Sequence, residues 1–166
     1  MRTKLLTIVF ALALLTIIGG AYILSSTGQA PYPAVIKFDP RFIDMDSTYP
    51  YTWSAEIRAP TGSGWNVKDI NPNTILLEGY IPIISGSMYY YKGAQNVQFD
   101  GQAVWNALLG KIGHYGVPPD ASTSTPVHYD FIVTGKLYNG DSFSSEGQQS
   151  WIAVRFPLGL PPPPPP

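Results

Sequence analysis

Apolar and polar side chains alternate along several short stretches of this chain. Between residues 51 and 59 the apolar side chains stand at every second position, and residues 127–134 repeat the pattern. A period of two is typical of a β-strand with one face in a core and the other in water. The pattern predicts strands at 51–59 and 127–134, and a third at 151–156. Weaker candidates lie at 35–38, 74–77, 80–84, 88–91 and 95–99.

One segment has helical spacing instead. After Asp100, apolar residues recur at positions 103, 104, 107 and 108, which places them on one stripe of a helix. Asp100 is a favourable N-cap, and Gly110 is a typical residue after a helix end. The spacing predicts a short helix at 101–109.

The turn signals between these elements favour a sheet-rich domain. The strongest is Tyr138-Asn139-Gly140-Asp141, because Asn-Gly tolerates the positive φ values of tight hairpin turns. Seven or eight short strands and one small helix predict a mostly β fold, an antiparallel β-sandwich. We divide the chain into residues 1–24, a signal peptide or membrane anchor; 25–33, a linker or extended arm; 34–156, the sandwich; and 157–166, a proline-rich tail.

The N-terminus has the pattern of an export signal. Arg2 and Lys4 precede an apolar stretch, and no charged residue occurs from Leu5 to Ile36. The segments Gly19-Gly20-Ala21 and Gly28-Gln29-Ala30 have small residues at the positions that a signal peptidase reads. Cleavage can therefore follow Ala21 or Ala30. If neither is cut, residues 5–24 form a helix about 30 Å long, enough to cross a bilayer. Both outcomes place the domain outside the cell or on its surface, and the membrane is a partner only through residues 1–24 if they are uncleaved.

Composition excludes several functions. The chain has no cysteine and only two histidines, which excludes thiolate catalysis and cysteine-based or histidine-rich metal sites. Beyond Arg2 and Lys4 the net charge is −3 and no basic cluster occurs, so nucleic acid is not an expected partner. His128 falls on the polar side of its strand, and no nucleophile–base spacing is present. We expect no enzymatic activity, no catalytic residue and no organic cofactor.

Three carboxylates are candidate calcium ligands. Asp44 and Asp46 are two residues apart, so on a strand both side chains point to one face. Asp69 starts a second group with Asn71 and Asn73. Oxygen ligands suffice for calcium. The alternative for the first pair is a solvated loop, and for the second group an Asx turn that leads into a strand.

The segment from residue 79 to residue 91 combines a high content of aromatic and β-branched residues with no charge. Alternation buries only half of a strand's side chains, so three consecutive tyrosines place at least one outward. Uncharged β-prone edges favour strand pairing with another chain. The predicted interface residues are Tyr80, Ile83, Met88, Tyr89, Tyr90 and Tyr91. The alternatives are an aromatic platform for glycans and a hairpin covered by the loop at 110–126.

Three stretches resemble a known family: VKDINPNTILLEG (67–79), VQFDGQAVWNALLG (97–110) and VTGKLYNGDSF (133–143). They are similar to small secreted immunoglobulin-like modules of archaeal and bacterial surface proteins. The resemblance implies an immunoglobulin-like sandwich and no catalytic residues. In architecture the chain also resembles subunits of extracellular filaments or tubes.

These observations favour an exported structural protein that assembles with itself by strand addition into an extracellular filament, tube or surface layer. The alternatives are a monomeric module that binds cell-wall polysaccharide and a membrane-anchored accessory module.

Overall fold

The computed structural model describes residues 30–45, 50–115 and 126–156. The predicted signal or anchor, Asp46, most of the long loop and the proline tail lie outside these residues. The described strands are β1 Tyr32–Pro33, β2 Val35–Asp39, β3 Phe42–Asp44, β4 Thr52–Arg58, β5 Ile70–Leu77, β6 Ile81–Pro82, β7 Tyr89–Tyr91, β8 Ala94–Asp100, β9 Val127–Asp130, β10 Val133–Leu137, β11 Ser142–Ser144 and β12 Trp151–Arg155. The helix α1 spans Gly101–Tyr115, and a 3-10 turn spans Val67–Asp69.

The strands form three sheets. One has the order β1-β11-β10-β5-β6, a second β3-β12-β9 and a third β2-β4-β8-β7. Neighbouring strands are antiparallel except for β1 with β11 and β3 with β12, which are parallel. Their inward side chains form one hydrophobic cluster with those of the helix. The prediction of a mostly β chain with one helix is confirmed, and the arrangement is consistent with a β-sandwich.

Strand β4 follows its sequence pattern. Trp53, Ala55 and Ile57 are buried, whereas the side chains between them face outward. The alternation predicts Tyr51 on the buried face, but its side chain is 93% exposed. It precedes the first residue of the strand, and its carbonyl oxygen accepts a hydrogen bond from the Gly101 amide at 3.0 Å.

The stretch at 127–134, predicted as one strand, is two strands in different sheets. Burial still alternates, because Tyr129, Phe131 and Val133 are all buried. The break lies at Phe131 and Ile132. The Phe131 amide donates to the Ser150 carbonyl at 2.7 Å, and Ile132 exchanges hydrogen bonds with Glu78 at 2.7 Å. These partners direct the chain from the sheet of β9 into the sheet of β10.

The helix begins where the sequence predicts and ends later. The Asp100 carboxylate accepts a hydrogen bond from the Ala103 amide at 2.8 Å, so the N-cap is confirmed. The predicted end at Gly110 is wrong. Ile112 extends the buried stripe by one more turn and is 1% exposed. Burying such a side chain contributes about 1.5–3 kcal/mol, which exceeds the cost of about 1 kcal/mol for a glycine inside a helix.

The turn at Tyr138–Asp141 joins β10 to β11 as predicted, with one difference in its backbone. Gly140 has φ +95°, but Asn139 does not have a positive φ. The Asn139 side chain instead accepts a hydrogen bond from the Asp141 amide at 3.0 Å. Two consecutive positive φ values occur instead at Lys92 (+46°) and Gly93 (+83°), between β7 and β8, and at Glu78 (+55°) and Gly79 (+76°), between β5 and β6.

The end of the segment assigned to a linker or arm belongs to a sheet. Strand β1 lies beside β11, and the Ala34 amide donates to the Ser144 carbonyl at 2.8 Å. Tyr32 stacks on Trp65, whose indole nitrogen donates to the Pro33 carbonyl at 3.0 Å.

No helix in the described part of the chain is long and apolar enough to span a membrane.

Candidate functional site

Strand β7 lies at the outer edge of the four-stranded sheet. It pairs with β8 alone within the described residues. All three of its side chains are exposed: Tyr89 by 58%, Tyr90 by 47% and Tyr91 by 56%. We call residues 79–91 the tyrosine edge. The expectation that the tyrosine run places at least one aromatic ring in solvent is confirmed for every member.

The hairpin register determines which backbone groups of β7 face outward. Two residues with positive φ join Tyr91 to Ala94, and in such hairpins the pair that closes the turn exchanges hydrogen bonds. Bonded and non-bonded pairs alternate along an antiparallel ladder. Tyr90, one position further from the turn, therefore directs its amide and carbonyl away from β8.

The remainder of the tyrosine edge runs from one sheet to another. Strand β6 ends the five-stranded sheet. Ile83 then forms a bridge with Phe99 of β8, and the Ile84 amide donates to the Gln98 carbonyl at 2.7 Å. Ile83 and Met88 are partly buried and pack against the core. Among the predicted interface residues, Tyr80 is 64% exposed and joins the β7 tyrosines at the surface.

An apolar groove of about 550 Å³ adjoins the tyrosine edge. Residues 80–84 form one wall, and Ala103 and Ala107 of helix α1 form the other. This groove makes the apolar surface beside Tyr80 larger than the sequence pattern indicates.

Two lysines flank the tyrosine edge. The Lys68 ammonium lies 4.5 Å from the centre of the Tyr90 ring, and the Lys92 ammonium lies 5.1 Å from that of Tyr91. Such cation–π contacts hold the rings in place. Lys68 is distant in sequence and comes from the 3-10 turn before β5, so inspection of residues 79–91 alone could not find it.

The predicted calcium ligands lie on separate elements. Asp44 is at the end of β3, where its carboxylate is 3.7 Å from the Arg155 guanidinium. Asp69 is in the 3-10 turn before β5, and Asn71 forms an Asx turn with the Asn73 amide at 3.2 Å. Asp46 lies outside the described residues. No group of three acidic or histidine side chains close enough to hold a metal occurs in the described ranges.

His128 and Trp151 lie on the outer face of the three-stranded sheet. The imidazole stacks on the indole with ring centres 3.9 Å apart and planes 7° apart. The Arg41 guanidinium lies 3.5 Å from the indole centre, so sterics place it on the opposite ring face. His128 is exposed as predicted. Trp53 is fully buried in the core, whereas Trp151 is only partly buried and supports this cationic stack.

A polar groove of about 490 Å³ lies on the outer face of the four-stranded sheet. We call it the sheet-face groove. Its floor is polar, and aromatic rings from β3 and β7 stand at its sides. Its charged lining residues are Lys37, Asp39, Arg41 and Glu56, and the other lining residues used below are Phe42, Tyr89 and Asn96. They come from five separate places in the chain, and sequence reasoning identified only Tyr89 as a surface residue.

Comparisons with known proteins give no relative. No family profile, no curated protein sequence and no solved structure matches this chain.

Proposed function

We propose that this chain is an exported, non-enzymatic structural protein that assembles with copies of itself into an extracellular filament, tube or surface layer. Residues 1–24 direct export, and the β domain is an immunoglobulin-like sandwich that supplies the contacts between copies. The organisation of the chain supports this: an apolar N-terminal stretch, one β domain and a proline tail.

The single observation that carries the proposal is the edge of β7, which pairs with β8 alone in the part of the chain that the structure describes. Its outward backbone groups at Tyr90 are donors and acceptors that a neighbouring strand can satisfy. A hydrogen bond of this kind contributes about 1 kcal/mol net, so a strand of three residues is not sufficient alone. The exposed rings of Tyr80, Tyr89 and Tyr91 add apolar area that a second copy would bury.

A filament needs two different surfaces on each copy. An edge that pairs with the same edge of another copy gives a closed dimer. A head-to-tail contact between two different surfaces lets each added copy bind a further one. The N-terminal arm supplies the second surface, since an extended segment can add to a neighbour's sheet. Tyr32 and Pro33 already pair with β11, so the segment available for donation lies before Tyr32.

The proposal that the chain is not an enzyme rests on its chemistry. It has no cysteine, and its two histidines stand apart in sequence. Of these, His128 stacks on Trp151 on the outer face of the three-stranded sheet. Turnover of a glycan or ester substrate that disappears in the His128→Gln variant would contradict this part of the proposal.

Electron microscopy of residues 22–166, the chain after the candidate cleavage at Ala21, tests the assembly directly. We expect negatively stained images to show regular filaments, tubes or sheets as the protein concentration rises. Parallel grids with millimolar calcium test whether Asp44, Asp46 and Asp69 contribute to contacts between copies. Dispersed particles of monomer size under all conditions would contradict the proposal.

A further inference from the structure

We propose that the sheet-face groove binds an acidic saccharide, with a sugar ring against Tyr89 or Phe42 and the saccharide carboxylate at Arg41 and Lys37. The groove is formed within one copy of the chain, but it shares Tyr89 with the surface that the proposed assembly would bury. It uses side chains of β2, β3, β4, β7 and β8, and Arg41 between β2 and β3.

The register of the sheet places the floor of the groove in one row. Lys37 is opposite Glu56, Glu56 is opposite Asn96, and Asn96 is opposite Tyr89. Four neighbouring strands at about 4.8 Å spacing make this row roughly 14 Å long. The row thus offers an extended polar floor, which suits a short chain of linked sugars better than a single small ion.

Four charged side chains line the groove, Lys37, Arg41, Asp39 and Glu56, so its own charges balance. When Arg58, the ion-pair partner of Glu56, is included, three positive groups face two negative ones, and this excess favours an acidic ligand. Among the described residues, no carboxylate forms an ion pair with Lys37 or Arg41. Glu56, by contrast, is already paired with Arg58. A guanidinium binds a carboxylate through two parallel hydrogen bonds, and an ammonium adds a point charge. The remaining amide and carboxylate groups on the floor supply both donors and acceptors for hydroxyl groups.

The corner that presents Arg41 and Phe42 is held in place before any ligand arrives. The Trp53 indole nitrogen donates to the Pro40 carbonyl at 2.8 Å, and the Arg41 carbonyl accepts from the Ala153 amide at 2.8 Å. The Trp151 ring supports the Arg41 guanidinium at 3.5 Å. Less conformational freedom is lost on binding when the contacting groups are already fixed.

The distribution of polarity distinguishes a saccharide from an apolar ligand. Phe42 and Tyr89 are 50% and 58% exposed at the sides of the groove, where their ring faces can contact the C–H face of a sugar. An apolar ligand would cover Lys37, Glu56 and Asn96 without replacing their hydrogen bonds to water, which is unfavourable. A saccharide can contact the aromatic rings with its C–H face and form hydrogen bonds to the polar floor with its hydroxyl groups.

Titration of residues 22–166 with tetragalacturonate, followed by calorimetry and by chemical shifts, tests the site. We expect saturable binding, with shifts concentrated at the groove, and weaker binding of the neutral cellotetraose. Arg41→Gln should weaken tetragalacturonate binding by about tenfold, since it removes a hydrogen bond between charged groups. Lys37→Gln should act in the same direction without altering the Trp151 stack.

Lys136→Gln is the matched control, because it removes the same charge from an exposed position on β10 in the five-stranded sheet. It should leave the affinity unchanged. The proposal is overturned if tetragalacturonate does not bind, if cellotetraose binds equally well, or if Lys136→Gln weakens binding as much as the two groove variants do.

Discussion

At the residue scale, two glycines of one helix have opposite surroundings. A Cβ atom at Gly101 would lie 1.8 Å from the Pro50 carbonyl oxygen, which is backbone and cannot rotate away. A Cβ atom at Gly110 would have no neighbour within 4 Å. Ala is favoured over Gly inside a helix by about 1 kcal/mol. At Gly110 nothing opposes the higher helix propensity of alanine. At Gly101 the steric clash with the Pro50 carbonyl costs more than this propensity contributes.

We therefore expect Gly110→Ala to raise the free energy of unfolding by about 0.5–1 kcal/mol and Gly101→Ala to lower it by about 2 kcal/mol or more. Urea denaturation of both variants, followed by tryptophan fluorescence, gives the two values. Equal effects of the two substitutions would show that helix propensity alone determines the outcome.

Tyr129 makes stability sensitive to alkaline pH. Burial raises the pKa of the Tyr129 phenol above its ordinary value of 10.0. The unfolded chain then releases this proton at a lower pH than the folded chain does. The unfolded state binds fewer protons above about pH 10, so the free energy of unfolding falls as pH rises through that range. Below the unfolded pKa the contribution is fully retained.

The measurement is urea denaturation at pH 8 and at pH 11. We expect the wild-type chain to lose more stability between the two pH values than Tyr129→Phe does, because phenylalanine has no proton to release. If both proteins lose the same amount, the alkaline sensitivity has another source.

At the element scale, Glu78 joins three parts of the fold. Its carboxylate accepts a hydrogen bond from the Ile132 amide at 2.7 Å and lies 2.6 Å from the Lys111 ammonium of helix α1. Its backbone amide also donates to the Ile132 carbonyl at 2.7 Å. The end of β5, the change of sheet after β9 and the last turns of the helix thus meet at one side chain.

Glu78→Gln should lower the free energy of unfolding by about 2 kcal/mol, because it leaves the Lys111 charge without its partner in a largely buried place. Glutamine keeps the side-chain length, so the backbone at φ +55° is affected equally in both proteins. Glu146→Gln, at an exposed position, should change stability by less than about 0.5 kcal/mol. Similar small effects of both substitutions would contradict this role for Glu78.

The contacts of Glu78 also show which elements could be predicted from the sequence and which could not. The period of two in β4 and the cap at Asp100 are local signals, and both were predicted correctly. The change of sheet at Phe131 depends on hydrogen-bond partners at Glu78 and Ser150, which are distant in sequence. The alternation of apolar residues continues through the change, so no local pattern reveals it.

At the scale of the whole molecule, the two candidate surfaces differ in how far the sequence predicts them. The tyrosine edge is one continuous segment, so its composition was enough to predict exposed aromatic rings. The sheet-face groove brings together Lys37, Phe42 and Asn96 through strand pairing. Its charges are scattered along the chain and form no motif, so only the fold reveals them.

Sedimentation velocity shows whether copies of this chain associate through the tyrosine edge, as we propose. Residues 22–166 should sediment as larger species as concentration rises. Tyr90→Lys should shift the distribution toward monomer by adding a third charge beside Lys68 and Lys92. Tyr138→Lys, at another exposed tyrosine, on the β10–β11 turn, should leave association unchanged. A wild-type chain that stays monomeric at all concentrations, or a Tyr90→Lys variant that associates like the wild type, would contradict assembly through the tyrosine edge.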